Sequence, residues 1–215
     1  MTGSTEGDIS STWTPWPQHN FFAITRLKPV KHFSKEWLHI KARIDHTLNG
    51  ANIINIQQIH NKWLWDTYAL SRHRLSTKNR GITNEKLLFH GSRQTRPEQI
   101  YKSEKGFDFR FANEGRWGVG TYFAVNAQYS NAYAFKLSGG SGRLQFFLAL
   151  VLTGESYSCG EDRSLRKPPL KERNDMFADE RYDSVHGKSR GSDIYVVYDH
   201  DKAYPAYLIT YSLHS

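Results

Sequence analysis

The chain has 215 residues, 38% hydrophobic, 23% charged and 14% aromatic, with a formal net charge of +8. That is enough for one domain with a substantial core, and too polar for a membrane protein; no stretch approaches the roughly 18 consecutive apolar residues of a transmembrane helix. A single cysteine, Cys159, excludes an internal disulfide and a multi-cysteine zinc site, while Lys and Arg spread without a block read as a diffuse basic surface.

Residues 1–15 are rich in Ser, Thr, Gly and acids and are expected to be a disordered arm, with the fold starting near Trp16 or Phe21 and occupying 16–215. The start, MTGSTEGDIS, lacks the basic and apolar regions of a signal peptide, so an intracellular location is expected. A short β piece, FFAITRL, precedes a helix over 34–48 that Asn49-Gly50 stops. The run 52–61 reads as a strand, and 61–76 repeats apolar residues at helical spacing.

From residue 87 onward short β runs dominate: 87–90, 121–125, 144–153, 194–198 and 205–212. Only two short helices are expected among them. One starts at Thr95, which has capping-box spacing to Glu98 and Pro97 in the first turn; the other covers 126–135, capped by Asn126. The segment from Gly154 to Asp193, rich in Lys, Arg, Pro and Gly, reads as one long loop, and loops of that length are usually lids or binding loops.

Two stretches carry candidate chemistry. In 89-FHGS-92 a strand-end His precedes a Gly whose backbone can approach a ligand closely. In 118-GVGTYFAVNAQYSNAY-133 the glycines form neither GxGxxG between strand and helix nor a GK[ST] P-loop, so both nucleotide-loop readings fail. Ser130 and Tyr133, three apart on the expected helix, share a face and pair a hydroxyl with a ring, as a flat polar ligand requires. Each feature alone is more readily structural than functional.

Taken in order, LLFHGS, GTYFAVNAQYS, LVLTGESYSCG, RKPP, YDSV and AYPAYLITY resemble the catalytic domain of the poly(ADP-ribose) polymerase family, the diphtheria-toxin-like ADP-ribosyltransferases. The resemblance runs from about Trp16 to the end. It implies an α+β fold of two packed antiparallel sheets around an NAD-binding cleft, with a few flanking helices. It also implies NAD⁺ as ADP-ribose donor, no metal, a monomer, and acceptors among proteins, the chain itself included. By position, His90 would hydrogen-bond a ribose hydroxyl, Gly91 backbone and Ser130 would hold the nicotinamide amide, Tyr133 would stack on the ring and Tyr122 would line the other side. Ser92 would contact the adenosine ribose, and 107–117 would cover the donor.

Polymer-forming members carry Glu where this sequence has Ile194, completing a His-Tyr-Glu triad. A carboxylate can accept a proton or a hydrogen bond and an isoleucine can do neither. His90, Tyr122 and Ile194 therefore resemble the His-Tyr-Ile branch, which implies transfer of one ADP-ribose unit without chain growth. Glu155 and Glu161 are candidates to replace the missing carboxylate. The rivals are a family member that keeps the fold without NAD⁺ binding, and a nucleic-acid-binding module; nucleic acid also stays open as acceptor or guide.

Overall fold

In a computed structural model of the chain, residues 25–139, 142–172 and 180–213 are described. The expected arm, the first residues of FFAITRL and part of the 154–193 segment lie outside them.

Strands β1 (Thr25–Pro29), β2 (Ala51–Asn61), β3 (Glu85–His90), β4 (Thr121–Ala124), β5 (Phe135–Lys136), β6 (Arg143–Leu152), β7 (Ser156–Ser158), β8 (Ser184–Ser189), β9 (Ser192–Val197) and β10 (Ala203–Leu213) alternate with helices α1 (Lys35–Asp45), α2 (Lys62–Lys78), α3 (Pro97–Tyr101) and α4 (Ala127–Asn131). The strands join in the order β1-β2-β10-β6-β3-β4-β9-β8-β7, with β5 also on β6. Neighbours are antiparallel except β7 and β8.

The two expected sheets are thus hydrogen-bonded into one path, but the join is narrow. β3 and β4 share one paired position, Phe89 with Ala124, whereas β3 and β6 share six. That seam divides the path into a larger half (β1, β2, β10, β6, β3) and a smaller one (β4, β9, β8, β7).

Period-two alternation sends successive residues of β6 and β10 to opposite faces, and both faces are apolar. Phe146, Leu148 and Leu150 meet Trp37, Ile40 and Ile44 of α1 and Leu64 and Tyr68 of α2. Phe147, Ala149 and Val151 meet Ile100 and Tyr101 of α3, Phe107 and Phe123. Both long helices carry side-chain caps: Ser34 Oγ accepts from Trp37 N at 3.2 Å, and Asn61 Oδ1 from Leu64 N at 3.1 Å. Helix α1 ends at Asp45, three residues short of the expected end, with a right-handed C-cap at His46; Gly50, at φ 79°, lies in the turn before β2 instead of stopping the helix.

Three further expectations shift. Helix α3 starts at Pro97, and the Arg96 N–H is met by Gln99 Oε1 at 3.3 Å, so the box lies one residue later than Thr95 and Glu98. Helix α4 ends at Asn131, four residues short of the expected end. The long 154–193 loop contains two strands, β7 and β8. Among the described residues no helix is long and apolar enough to cross a membrane.

Candidate active site

The seam brings the sequence candidates together. His90 is the last residue of β3, one step past Phe89, and its Nδ1–H donates to the Tyr122 carbonyl on β4 at 2.8 Å. Because a carbonyl only accepts, the proton sits on Nδ1 and leaves a lone pair on Nε2. Burial against Phe107 and Phe123, whose ring centroids lie 4.9 and 5.3 Å away, drives the imidazole pKa down to about 4 despite that bond. The ring is neutral at physiological pH.

Gly91 follows where no side chain fits. A Cβ there would come within 2.4 Å of the Tyr133 carbonyl oxygen and 2.5 Å of that of Ser130. The contact locks the end of β3 onto the turn after α4, and Arg93 N donates to Tyr133 O at 2.8 Å. Arg93 also lays its guanidinium 4.3 Å from the Tyr133 ring centroid, a cation–π contact that sequence reasoning missed.

Tyr133 lies past the end of α4, not on it. Its N–H bonds the Ser130 carbonyl at 3.0 Å, so a turn keeps the two residues adjacent. Ser130 is buried, and its hydroxyl makes no hydrogen bond among the described residues. The short helix is fixed from outside: Thr47 Oγ1 accepts from Ala127 N at 2.9 Å, Ser192 Oγ from Asn126 N at 3.1 Å, and Asn131 Oδ1 from the Tyr211 hydroxyl at 2.6 Å. Ser92 donates to Thr95 O at 2.8 Å, leaving its oxygen able to accept.

Tyr122 is held by its hydroxyl, which accepts from Trp117 N at 2.9 Å and donates to Gly118 O at 2.8 Å. Burial pushes its pKa up to about 12, so it is a neutral phenol. Ile194 pairs with Ala124 on one side and Gly187 on the other, and is fully buried among Trp117, Val185 and Val196.

The 107–117 segment is tied to the 159–166 segment. Arg116 O accepts from Asp162 N at 2.9 Å and Leu165 O from Val119 N at 3.0 Å, while Glu114 pairs with Arg166 at 3.1 Å and Arg116 with Glu161. Trp117 is the pivot sequence reasoning missed: its Nε1 donates to Gly160 O at 2.8 Å and its carbonyl accepts from the Tyr198 hydroxyl at 2.6 Å. Both carboxylates proposed to replace the missing one are engaged, Glu161 by Arg116 and Glu155 by Lys171 at 2.7 Å. Burial and Asp162 raise the Cys159 thiol pKa, contrary to what an activated nucleophile needs.

The family model for the poly(ADP-ribose) polymerase catalytic domain matches residues 31–213. The chain belongs to that family, whose members use NAD⁺ as substrate. It is 37% identical over 183 residues to a Dictyostelium discoideum protein named "Probable poly [ADP-ribose] polymerase", covering 83% of this chain and 50% of that one. It is 32% identical over 206 residues to human protein mono-ADP-ribosyltransferase PARP14, covering 95% of this chain and 11% of the relative. Mouse protein mono-ADP-ribosyltransferase PARP11 is 29% identical over 219 residues, 92% of this chain and 64% of the relative. The chain therefore spans about half or less of the first two relatives and just under two thirds of the third.

Proposed function

We propose that the chain is an NAD⁺-dependent mono-ADP-ribosyltransferase that moves one ADP-ribose unit to protein side chains and releases nicotinamide. The observation that carries this reading is Ile194. At the position implied for the elongating carboxylate stands an apolar side chain with no exposed surface, backbone-paired to Ala124, which is itself the partner of Phe89 at the seam. The intact set around it speaks against a member that has lost donor binding. Gly91 backbone and the unpartnered Ser130 hydroxyl would take the carboxamide, Tyr133, braced by Arg93, would stack on the ring, and neutral His90 would accept from a ribose hydroxyl through Nε2.

The reaction is substitution at the anomeric carbon of the nicotinamide ribose through an oxocarbenium-like state. No group among these residues is set to abstract a proton there, so the gain comes from fixing the donor and the departing nicotinamide. An ionised carboxylate acceptor needs no base and would be used most readily. Intact-mass spectrometry after incubation with NAD⁺, beside a Tyr122→Ala control, tests this. Discrete single ADP-ribose increments lost in the control are expected; ladders of many units would overturn the mono-transferase reading, and no adduct with no nicotinamide-analogue binding would favour the inactive member.

One observation favours nucleic acid as guide or acceptor. A cavity of about 460 Å³ is lined by Lys78, Arg166, Lys167, Arg181 and Lys202, whose five charges exceed those of Asp183 and Asp199. Affinity for a random oligonucleotide that falls steeply with salt would identify charge-driven association; absence of binding at low salt would remove this reading.

A further inference from the structure

On β7, β8 and β9 a serine, a histidine and an aspartate form one hydrogen-bonded line. Ser158 Oγ lies 3.0 Å from His186 Nδ1, and His186 Nε2 lies 2.8 Å from Asp193 Oδ1. Sheet register builds the line. Ser158 is opposite His186 across β7 and β8, and His186 is opposite Tyr195 across β8 and β9, so Asp193 falls on the same face, two residues from Tyr195.

The direction of the bonds follows from the end of the chain of contacts. An ionised carboxylate only accepts, so Nε2 carries the hydrogen and Nδ1 presents its lone pair to Ser158, whose hydroxyl donates. That is the polarity of a hydroxyl nucleophile backed by a base and an orienting carboxylate. The imidazole is further held by the Tyr195 ring, 4.9 Å away and tilted by 32°, which itself has Lys86 Nζ 5.4 Å from its centroid. The hydroxyl is also reachable: β7 is the edge strand, Ser158 is exposed, and the His186 and Asp193 side chains are 21% and 41% exposed.

We propose that Ser158 is an ADP-ribose acceptor, activated by His186 and Asp193, and that the transfer runs between two copies of the chain. This rests on the transferase reading above. In the step, Ser158 Oγ bonds to the anomeric carbon of the nicotinamide ribose while the carbon–nitrogen bond breaks and its electron pair leaves with nicotinamide. The Ser158 proton passes to His186 Nδ1, and Asp193 holds the imidazolium until it returns the proton to water. The product is a serine O-glycoside, where a carboxylate acceptor would give an ester. Transfer between copies is the route that the exposed edge strand β7 allows, since a second copy can bring its donor site to Ser158.

Two measurements test the idea. A fluorophosphonate should label Ser158, and His186→Asn should slow labelling at least tenfold while leaving the melting temperature within a few degrees, which a merely structural clip would not do. Next, an isotopically heavy Tyr122→Ala chain, inactive but with Ser158 intact, is incubated with unlabelled active chain and NAD⁺, and adducts are mapped. The expected result is one hydroxylamine-stable ADP-ribose on heavy Ser158, lost in a heavy Ser158→Ala target and reduced at least tenfold with His186→Asn or Asp193→Asn. Modification elsewhere with Ser158 bare would overturn this proposal and leave the transferase reading standing. No nicotinamide release by the active chain would remove that reading and the proposal with it, and no fluorophosphonate labelling would overturn the activated serine directly.

Discussion

At His90 two influences oppose each other. Burial favours the neutral ring, the hydrogen bond to the Tyr122 carbonyl favours the charged one, and burial prevails. The unfolded chain takes up this proton near pH 6.5 and the folded chain near 4, so the stability tied to His90 is complete above about 6.5 and is lost as pH falls from there toward 4. Melting curves of the native chain and His90→Gln between pH 7.5 and 4.5 should therefore converge at the acid end. An NMR titration of His90 with a midpoint near 6.5 would contradict the account. Ile194 offers the second residue-scale test. Ile194→Glu would bury a carboxylate in the apolar cluster of Trp117, Val185 and Val196, at a cost of about 2–4 kcal/mol. Its pKa would rise, so urea unfolding should find the variant less stable at pH 8 than at pH 5, and the variant should not elongate chains. Equal loss at both pH values would show that the new side chain reaches water.

The elements that position the site depend on close backbone contacts around Trp117. A Cβ on Gly187 would lie 2.0 Å from the Trp117 ring, and one on Gly118, at φ 71°, 1.7 Å from the Leu165 carbonyl. Gly187→Ala must displace Trp117, whose N–H holds the Tyr122 hydroxyl; a loss of about 1–3 kcal/mol is expected, together with weaker binding of a nicotinamide analogue. Unchanged binding in a folded variant would uncouple Trp117 from the site. Much of this level was legible in advance: α1, α2, β2, β6 and β10 were visible because period and burial agree over 10 or more residues in each. Strands β7 and β8 were not, because SYS and SVHGKS are polar and owe their state to pairing with a neighbour. The end of α4 was hidden for a related reason. At its last residue Asn131 takes the hydroxyl of Tyr211, a partner far away in sequence. Trp117 and Arg93 carry no motif, and their roles emerge only when distant segments meet.

Across the whole molecule, the two halves of the sheet differ in what holds them. The larger half is packed on both faces by apolar clusters, whereas the smaller rests on a modest cluster around Trp117 and Ile194 and ends in a three-residue edge strand. Hydrogen exchange should accordingly be slowest in β6 and β10 and fastest, among the strands, in β7, a gradient that mass spectrometry would read directly. Uniform protection across the seam would show that one paired position couples the halves fully. The position of β10 has a further consequence. It lies between β2 and β6, yet it is the last of the described strands in chain order. A ribosome making this protein therefore delivers the middle of the larger half last. Until then β2 and β6 expose two edges of unpaired backbone N–H and C=O groups meant for the same missing neighbour, so the nascent chain cannot close its core stepwise and depends on holding those edges apart from other chains until synthesis has passed Leu213.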